Sequence, residues 1–198
     1  MIVTIFDYGA GNLHSLAKAL AGPSRTIRLE SDPMAATRTD VLVLPGVGAF
    51  GPAAAALAPA RAEMRAVIGA GLPCLGICLG MQLLFDASDE GPGEGLGVFG
   101  GRVTKLIAER VPQIGWNTLD DVTDPLLRSG QLTDVCYANT FVCRADSPND
   151  VVAWSTHERD RFPAVVRKGS TLGVQFHPEK SSARGVRFLS AYLDEVAR

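Results

Sequence analysis

Histidine is scarce in this chain: His14, His157 and His177 are its only three among 198 residues. Any chemistry that needs an imidazole has few places to sit. An excess of either charge is missing as well. Nineteen Lys and Arg against 21 Asp and Glu leave a net charge of −2, which offers no electrostatic footprint for nucleic acid or an anionic membrane. No apolar run is long enough to span a bilayer. The opening MIVTIFDYGAGN lacks a basic leader and a small-residue cleavage site, so a first strand is expected there, not a signal peptide. The four cysteines, Cys74, Cys78, Cys136 and Cys143, form no CxxC pair, which predicts reduced thiols in a cytoplasmic protein. There is no Walker A sequence and no metal-ligand spacing, so neither a metal nor a cofactor is expected.

Two glycine patterns invite a nucleotide reading and fall short of it. Gly95-Leu-Gly97-Val-Phe-Gly100 fits G-x-G-x-x-G, but no strand precedes it and no helix follows. Gly9-Ala-Gly11 is better placed, with Glu30 where a ribose-binding acid would sit. The third glycine, however, falls on His14, whose ring would obstruct close helix–strand packing. Dinucleotide binding survives only as a minor alternative.

What is present is a chain of 46% hydrophobic residues whose length suits one domain, residues 1–198. Ile2 to Phe6 and Val41 to Leu44 are continuous apolar runs typical of central parallel strands. Thr26 to Leu29 alternates, as a strand with one wet face would. Between the first two strands Leu13, Leu16, Ala17 and Leu20 make one helical face, stopped by Gly22-Pro23. Two short helices are expected over Pro52 to Ala70, then a buried strand over Leu72 to Ile77 and a helix through Phe85. This alternation predicts a doubly wound α/β sheet, mostly parallel, with helices on both faces. Beyond a Gly-rich loop from Gly91 to Gly101, short β-like runs centre on Gln113, Val122, Val135, Val151, Val165 and Val174. A hairpin turns near Lys168-Gly169. The last helix, from about Ser182, places Val186, Leu189, Leu193 and Val196 on one face. The second half therefore adds antiparallel strands to a parallel core.

LPCLGICLGMQ, residues 72 to 82, is the most informative stretch. Gly76 and Gly80 flank Cys78 in the spacing of a nucleophile elbow, a sharp strand-to-helix turn that lifts the nucleophile out of the core. Such a turn leaves the next amide, that of Leu79, free to donate to an oxyanion. Peptide dipoles at a helix N-terminus favour negative charge there. A buried structural cysteine beside two packing glycines is the other reading of this segment.

A thiolate nucleophile generally needs an imidazole to take and return a proton. His14 falls on the first helix, where surface exposure is the default. His157 lies in Thr156-His-Glu-Arg-Asp-Arg161, which reads as a solvated loop. His177 follows the apolar strand Leu172 to Phe176 and precedes Pro178-Glu179, so Glu179 can accept a hydrogen bond from the ring. A structural histidine at a strand end is the alternative. Pro45-Gly46-Val47-Gly48 leaves a strand of the same sheet, so its amides could complete an oxyanion hole, or be plain turn residues.

PGVGAF (45–50), GICLGMQ (76–82) and GVQFHPEKS (173–181) together resemble the class I, triad-type glutamine amidotransferases. DYGAGN (7–12) and PQIGWN (112–117) narrow the resemblance to the glutaminase subunits of imidazole glycerol phosphate synthases. The resemblance implies the flavodoxin-like fold of that class. It also implies hydrolysis of L-glutamine, with ammonia passed to a separate cyclase subunit, a (β/α)8 barrel, in a heterodimer of histidine biosynthesis. On that pattern Cys78 attacks the carboxamide, His177 is the general acid/base and Glu179 orients it. Gly48 and Leu79 supply oxyanion-hole amides, either directly or only after residues 46–48 rearrange on partner binding. Gly46, Gln82, Asn139 and Thr140 contact the substrate, and Asn12, Trp116 and Asn117 lie near the partner. No phosphate site is then needed on this chain.

One segment departs from the pattern. Where the family commonly has aromatic-Val-His-Ser-Tyr, this chain reads Tyr137-Ala-Asn-Thr-Phe141. Thr140 keeps the hydroxyl, but Asn139 has no acid/base function, so altered contacts to glutamine are expected. An anthranilate-type partner conflicts with DYGAGN at the start. A scaffolding domain without turnover would have no need to keep Cys78, His177 and Glu179 together.

Overall fold

The structure, a computed structural model, describes residues 1–9 and 13–197. The apolar runs form the middle of one sheet. β1 (Ile2–Phe6) pairs in parallel with β2 (Thr26–Glu30) on one side and β3 (Val41–Leu44) on the other, and β3 carries β4 (Cys74–Ile77). β3 and β4 are buried along their whole length, as strands covered on both faces must be. Burial alternates in ownership along each strand. Ile5, Val43, Leu75 and Ile77 join one hydrophobic cluster, while Leu42, Leu44 and Cys74 join another.

Helices supply the two covers. α1 (His14–Leu20) brings Leu16 and Leu20 to the first cluster. α2 (Pro33–Ala36) is one turn capped by the Asp32 carboxylate. α3 (Phe50–Leu57) and α4 (Arg61–Gly69), joined by a 3-10 turn over Ala58–Ala60, bury Phe50, Leu57, Met64 and Ile68 in the second cluster. α5 (Leu79–Leu83) follows β4 directly.

The chain then leaves the main sheet. β5 (Ala87–Ser88) and β6 (Gly101–Lys105) precede an antiparallel ribbon, β7 (Gln113–Thr118) and β8 (Asp134–Asn139), whose connection carries α6 (Pro125–Ser129). β9 (Phe141–Ala145) pairs back onto β6. β10 (Val151–His157), β11 (Asp160–Lys168) and β12 (Thr171–Val174) return antiparallel to one another, with β12 parallel to β4. The main sheet therefore runs β10-β11-β12-β4-β3-β1-β2. α7 (Ser182–Val196) closes the first cluster with Phe188, Leu189, Tyr192 and Leu193. Among the described residues no helix is long and apolar enough to cross a membrane.

Some sequence expectations need correction. Val122 is not in a strand; it lies in the segment that leads to α6. The helix after Cys78 ends at Leu83, two residues short of Phe85. Val186 is 37% exposed, because α7 turns Gly185, Phe188 and Tyr192 inward alongside Leu189 and Leu193. β2 lies at the sheet edge and leaves Leu29 exposed despite its alternation. His157 ends β10 and bonds the Arg110 carbonyl through Nε2 at 2.8 Å, so it belongs to a strand end and not to a free loop.

The C-terminal ends of β1, β3, β4 and β12 lie side by side, and each runs into a segment singled out above: residues 7–9, residues 45–48, Cys78 and residues 175–177. The crevice beyond the carboxyl ends of parallel strands is where open α/β sheets hold ligands.

Candidate active site

Cys78 stands between β4 and α5 at φ 47° and ψ −105°. A non-glycine residue there costs about 1–3 kcal/mol and persists only where its surroundings over-determine it. The Cys78 amide donates to the Val174 carbonyl at 2.7 Å, and its carbonyl accepts from the Gln82 amide at 3.1 Å. The flanking glycines are what let the turn close. A Cβ on Gly76 would lie 2.6 Å from the Gly80 carbonyl oxygen, and one on Gly80 only 1.9 Å from that of Leu44. The elbow spacing therefore records two backbone contacts, helix on its own strand and helix on β3.

His177 follows β12, the strand parallel to β4, so it lies beside the elbow. Its Nδ1 and the Glu179 Oε1 are 2.8 Å apart, and its Cε1 edge and Cys78 Cβ both border the space beside Gly46. Burial depresses the basicity of the ring. Its interactions with Cys78 and Glu179 more than reverse this and raise its pKa from 6.5 to about 10. The His177 backbone is pinned separately. Its amide donates to the Cys136 carbonyl at 2.8 Å, and its carbonyl accepts from the Ser181 hydroxyl at 2.7 Å. Ser181 Oγ in turn accepts from the Cys136 amide at 2.9 Å, which ties β8 to the histidine.

The turn over residues 45–48 closes the third side. A Cβ on Gly46 would come within 2.9 Å of Cys78 Cβ, His177 Cε1 and the Ile77 carbonyl oxygen, so only glycine fits against the pair. Gly48 has φ 105°. Above Cys78 lies a cavity of about 210 Å³, lined by Gly46, Gly48, Leu79, Gln82, Glu90 and the β8–β9 turn from Ala138 to Phe141. That volume suits a molecule smaller than most drug-sized ligands. Nucleophile, base and orienting carboxylate in line beside a small polar cavity constitute the machinery of acyl transfer through a thioester.

The protein-family model for glutamine amidotransferase class-I matches residues 4–193. The chain belongs to the class I glutamine amidotransferase family. Imidazole glycerol phosphate synthase subunit HisH of Symbiobacterium thermophilum is 42% identical over 194 residues, spanning 95% of this chain and 91% of that protein. The HisH subunit of Trichodesmium erythraeum is 37% identical over 203 residues, spanning 98% and 94%. A crystal structure described as a glutamine amidotransferase covers 100% of both chains with a TM-score of 0.75 at 18% identity, which shows the shared fold.

Within this amidotransferase fold, the residues expected at the site fall into two groups. Cys78, His177, Glu179, Gly46, Gly48, Leu79, Gln82, Asn139 and Thr140 converge around the one cavity or its floor. Trp116 and Asn117 lie elsewhere, on the β7–β8 ribbon, and Asn12 and Gly11 fall outside the described residues. Trp116 is 59% exposed on the outer face of the ribbon. Asn117 turns the other way and donates through Nδ2 to the Thr156 carbonyl at 2.9 Å. Glu30 accepts from the Asp32 amide at 3.0 Å, a local turn contact. Cys74 and Cys143 are buried in the core and Cys136 is half-buried; all four thiols are free.

Three polar residues of the amidotransferase site escaped sequence reasoning. Gln175 is fully buried; its Nε2 lies 3.5 Å from Cys78 Sγ, and its Oε1 accepts from Gln82 Nε2 at 3.4 Å. Gln82 Nε2 also donates to the Phe141 carbonyl at 3.0 Å, so the amide chain sets which end of Gln175 faces the sulfur. A lone glutamine in an apolar run, LGVQF, was the available signal. Glu90 lines the cavity and reaches it from a glycine-rich loop with no pattern to mark it. Gln113 sits opposite Asn139 in the ribbon, and both of its amide atoms are buried without a partner among the described residues, as is Asn139 Oδ1.

Proposed function

We propose that this chain is the glutaminase subunit of an imidazole glycerol phosphate synthase. It hydrolyses L-glutamine at Cys78 and delivers the ammonia to a cyclase subunit built as a (β/α)8 barrel, with which it forms a heterodimer. The observation that carries the reading is the Cys78–His177–Glu179 alignment at the floor of a cavity of about 210 Å³. The names of relatives 42% and 37% identical over nearly the whole chain support the choice of partner.

The reaction follows from the atoms in place. Cys78 Sγ adds to the carboxamide carbon, and the developing oxyanion is met by the Leu79 amide and by an amide of the 46–48 turn. His177, charged through its two partners, gives its proton to the leaving nitrogen. Ammonia departs and a γ-glutamyl thioester remains. The neutral ring then takes a proton from water, whose oxygen attacks the thioester and releases glutamate. Glu179 holds the ring in orientation and balances the imidazolium charge throughout. Glu90 and Asn139 line the cavity; the Glu90 carboxylate takes the α-ammonium of glutamine and the Asn139 side chain adds a polar contact to the substrate. Gln82 and the Thr140 hydroxyl complete the polar shell. No step needs a metal or cofactor, and a free thiol nucleophile requires a reducing compartment such as the cytoplasm.

Ammonia released into bulk water is protonated and lost as a nucleophile, so the cavity mouth must be covered. The ribbon beside that mouth exposes an apolar face. Ile114 is 77% exposed and Trp116 59%, and the neighbouring Ala138 lines the cavity itself. The cyclase docks there, where a large aromatic is a usual anchor. The test combines the purified chain with its candidate cyclase and follows glutamate release. Strong turnover in the complex, little without the cyclase, and none in Cys78→Ala is expected. Turnover that survives Cys78→Ala overturns the mechanism, and failure to form a complex overturns the partner.

A further inference from the structure

The loop after β3 is held at both ends by side chains from elsewhere in the fold. At its start the Tyr8 hydroxyl donates to the Pro45 carbonyl at 2.8 Å. Beyond its end the Phe50 amide donates to Glu90 Oε2 at 3.0 Å. Between these points Gly46 and Val47 are half-buried, Gly48 and Ala49 are exposed, and Gly48 sits at φ 105°. Val47 is the one side chain of the stretch that packs against the first cluster, so its peptide planes, which border the reacting atoms, depend on the contacts at its two ends.

Tyr8 can reach Pro45 because β1 and β3 are adjacent and parallel, and both residues lie just past the strand ends. Its ring packs edge-on against Phe6, with centroids 5.4 Å apart and planes at 75°. The Asp7 carboxylate accepts from the Gly9 amide at 2.8 Å and shapes the turn that carries Tyr8. In a trans peptide the carbonyl oxygen and the following N–H point in opposite directions. Holding the Pro45 oxygen toward Tyr8 thus aims the Gly46 N–H away from Tyr8. It also fixes the backbone that lies against Cys78 Cβ and His177 Cε1.

We propose that Tyr8 is a positioning residue for the glutaminase reaction. Its hydroxyl, bonded to the Pro45 carbonyl, sets the peptide between Pro45 and Gly46 so that the amides of residues 46–48 are ready for the oxyanion. The Tyr8 hydroxyl is bonded to the loop and not to the sulfur. It acts through the loop, and the assignment rests on the glutaminase reading given above. Because the oxyanion exists only along the reaction path, loss of this hold lowers kcat and leaves ground-state binding nearly unchanged.

The experiment compares the wild-type complex with Tyr8→Phe, which keeps the ring on Phe6 and deletes the hydroxyl. Glutamate release should show kcat reduced about three- to tenfold, the range of one neutral hydrogen bond, with KM within about twofold. Alkylation of Cys78 by iodoacetamide is followed in parallel. That reaction forms an S–C bond and expels iodide with no oxyanion, so its rate should not change. Equal kcat in wild type and variant overturns the assignment, as does alkylation that falls together with kcat, the signature of a generally disturbed site. Tyr8→Met serves with the same outcomes should Tyr8→Phe not fold. Absence of Cys78-dependent turnover in the wild-type complex instead overturns the glutaminase reading itself, and the role of Tyr8 with it.

Discussion

Replacing Glu179 with glutamine removes one of the two groups that charge His177 while keeping the shape of the side chain. The two side chains are 4% and 9% exposed, so solvent screens their interaction little. In the wild type, burial works against the imidazolium and is outweighed by Cys78 and Glu179, which hold the pKa at about 10. In the Glu179→Gln variant the burial penalty remains and only the sulfur opposes it. A lost neighbouring charge of this kind lowers a pKa by about one to three pH units. The imidazolium that protonates the leaving nitrogen then disappears at a lower pH, so the alkaline limb of kcat/KM moves in the acid direction by that amount.

The same change alters stability in a defined window. His177 is raised above its unfolded value of 6.5, so the stability it contributes is fully present below pH 6.5 and is lost as pH rises through about 10. At about 1.4 kcal/mol per pH unit, Glu179→Gln should cost roughly 1–4 kcal/mol below pH 6.5, with the deficit shrinking toward pH 10. The assay pairs pH–rate profiles with thermal unfolding at several pH values. With only three histidines, the imidazole resonances of His177 can be followed directly by NMR. An alkaline limb that stays in place, together with a stability difference independent of pH, would refute the ion-pair account of His177.

Other outcomes follow from single contacts. Gly80→Ala drives a methyl group into the Leu44 carbonyl at 1.9 Å, with backbone on both sides, so a loss of more than about 3 kcal/mol and of soluble active protein is expected on thermal unfolding. Ser181→Ala strands the Cys136 amide and takes one of two donors from the His177 carbonyl, which keeps the Lys180 amide at 3.0 Å, costing roughly 1–3 kcal/mol and lowering turnover more than glutamine binding. Trp116→Ala should leave the melting temperature of the isolated chain nearly unchanged, because the side chain is 59% exposed, yet weaken the complex with the cyclase at least about tenfold by titration. Asn139→His should change KM for glutamine, since Asn139 lines the cavity; equal KM values would remove Asn139 from the binding site.

Much of the parallel core was legible because strands buried on both faces read as near-continuous apolar runs; Val41–Leu44 and Cys74–Ile77 do so throughout, and Ile2–Phe6 does apart from Thr4, whose hydroxyl donates to that of Thr39. The hairpin at Lys168-Gly169 declared itself through turn chemistry. Val122 misled because an isolated β-branched residue carries no register, and its neighbourhood is organised by α6 and by a bond from the Thr123 amide to the Val152 carbonyl. Val186 misled because helical spacing admits two overlapping faces, and packing on the first cluster chose the one with Phe188 and Tyr192. At the site, Cys78 and His177 could be found because each stands at a strand end and imidazoles are few. Glu90 and Tyr8 could not, since each matters through one contact made by chain folded in from a loop.

By itself the sequence determined the local devices: apolar strands, the glycine pair that lets the elbow close, and a carboxylate two residues after a histidine. These depend on spacing along one segment, and spacing survives without any fold. Only the tertiary structure decided that Gln175 faces the sulfur, that Ser181 ties β8 to His177, and that Tyr8 holds the far side of the oxyanion loop. Each of those contacts joins strand ends brought side by side by the order β12-β4-β3-β1, or a ribbon folded over them. Hydrogen bonds across such distances in sequence leave no periodic trace, because either partner reads alone as an ordinary polar residue.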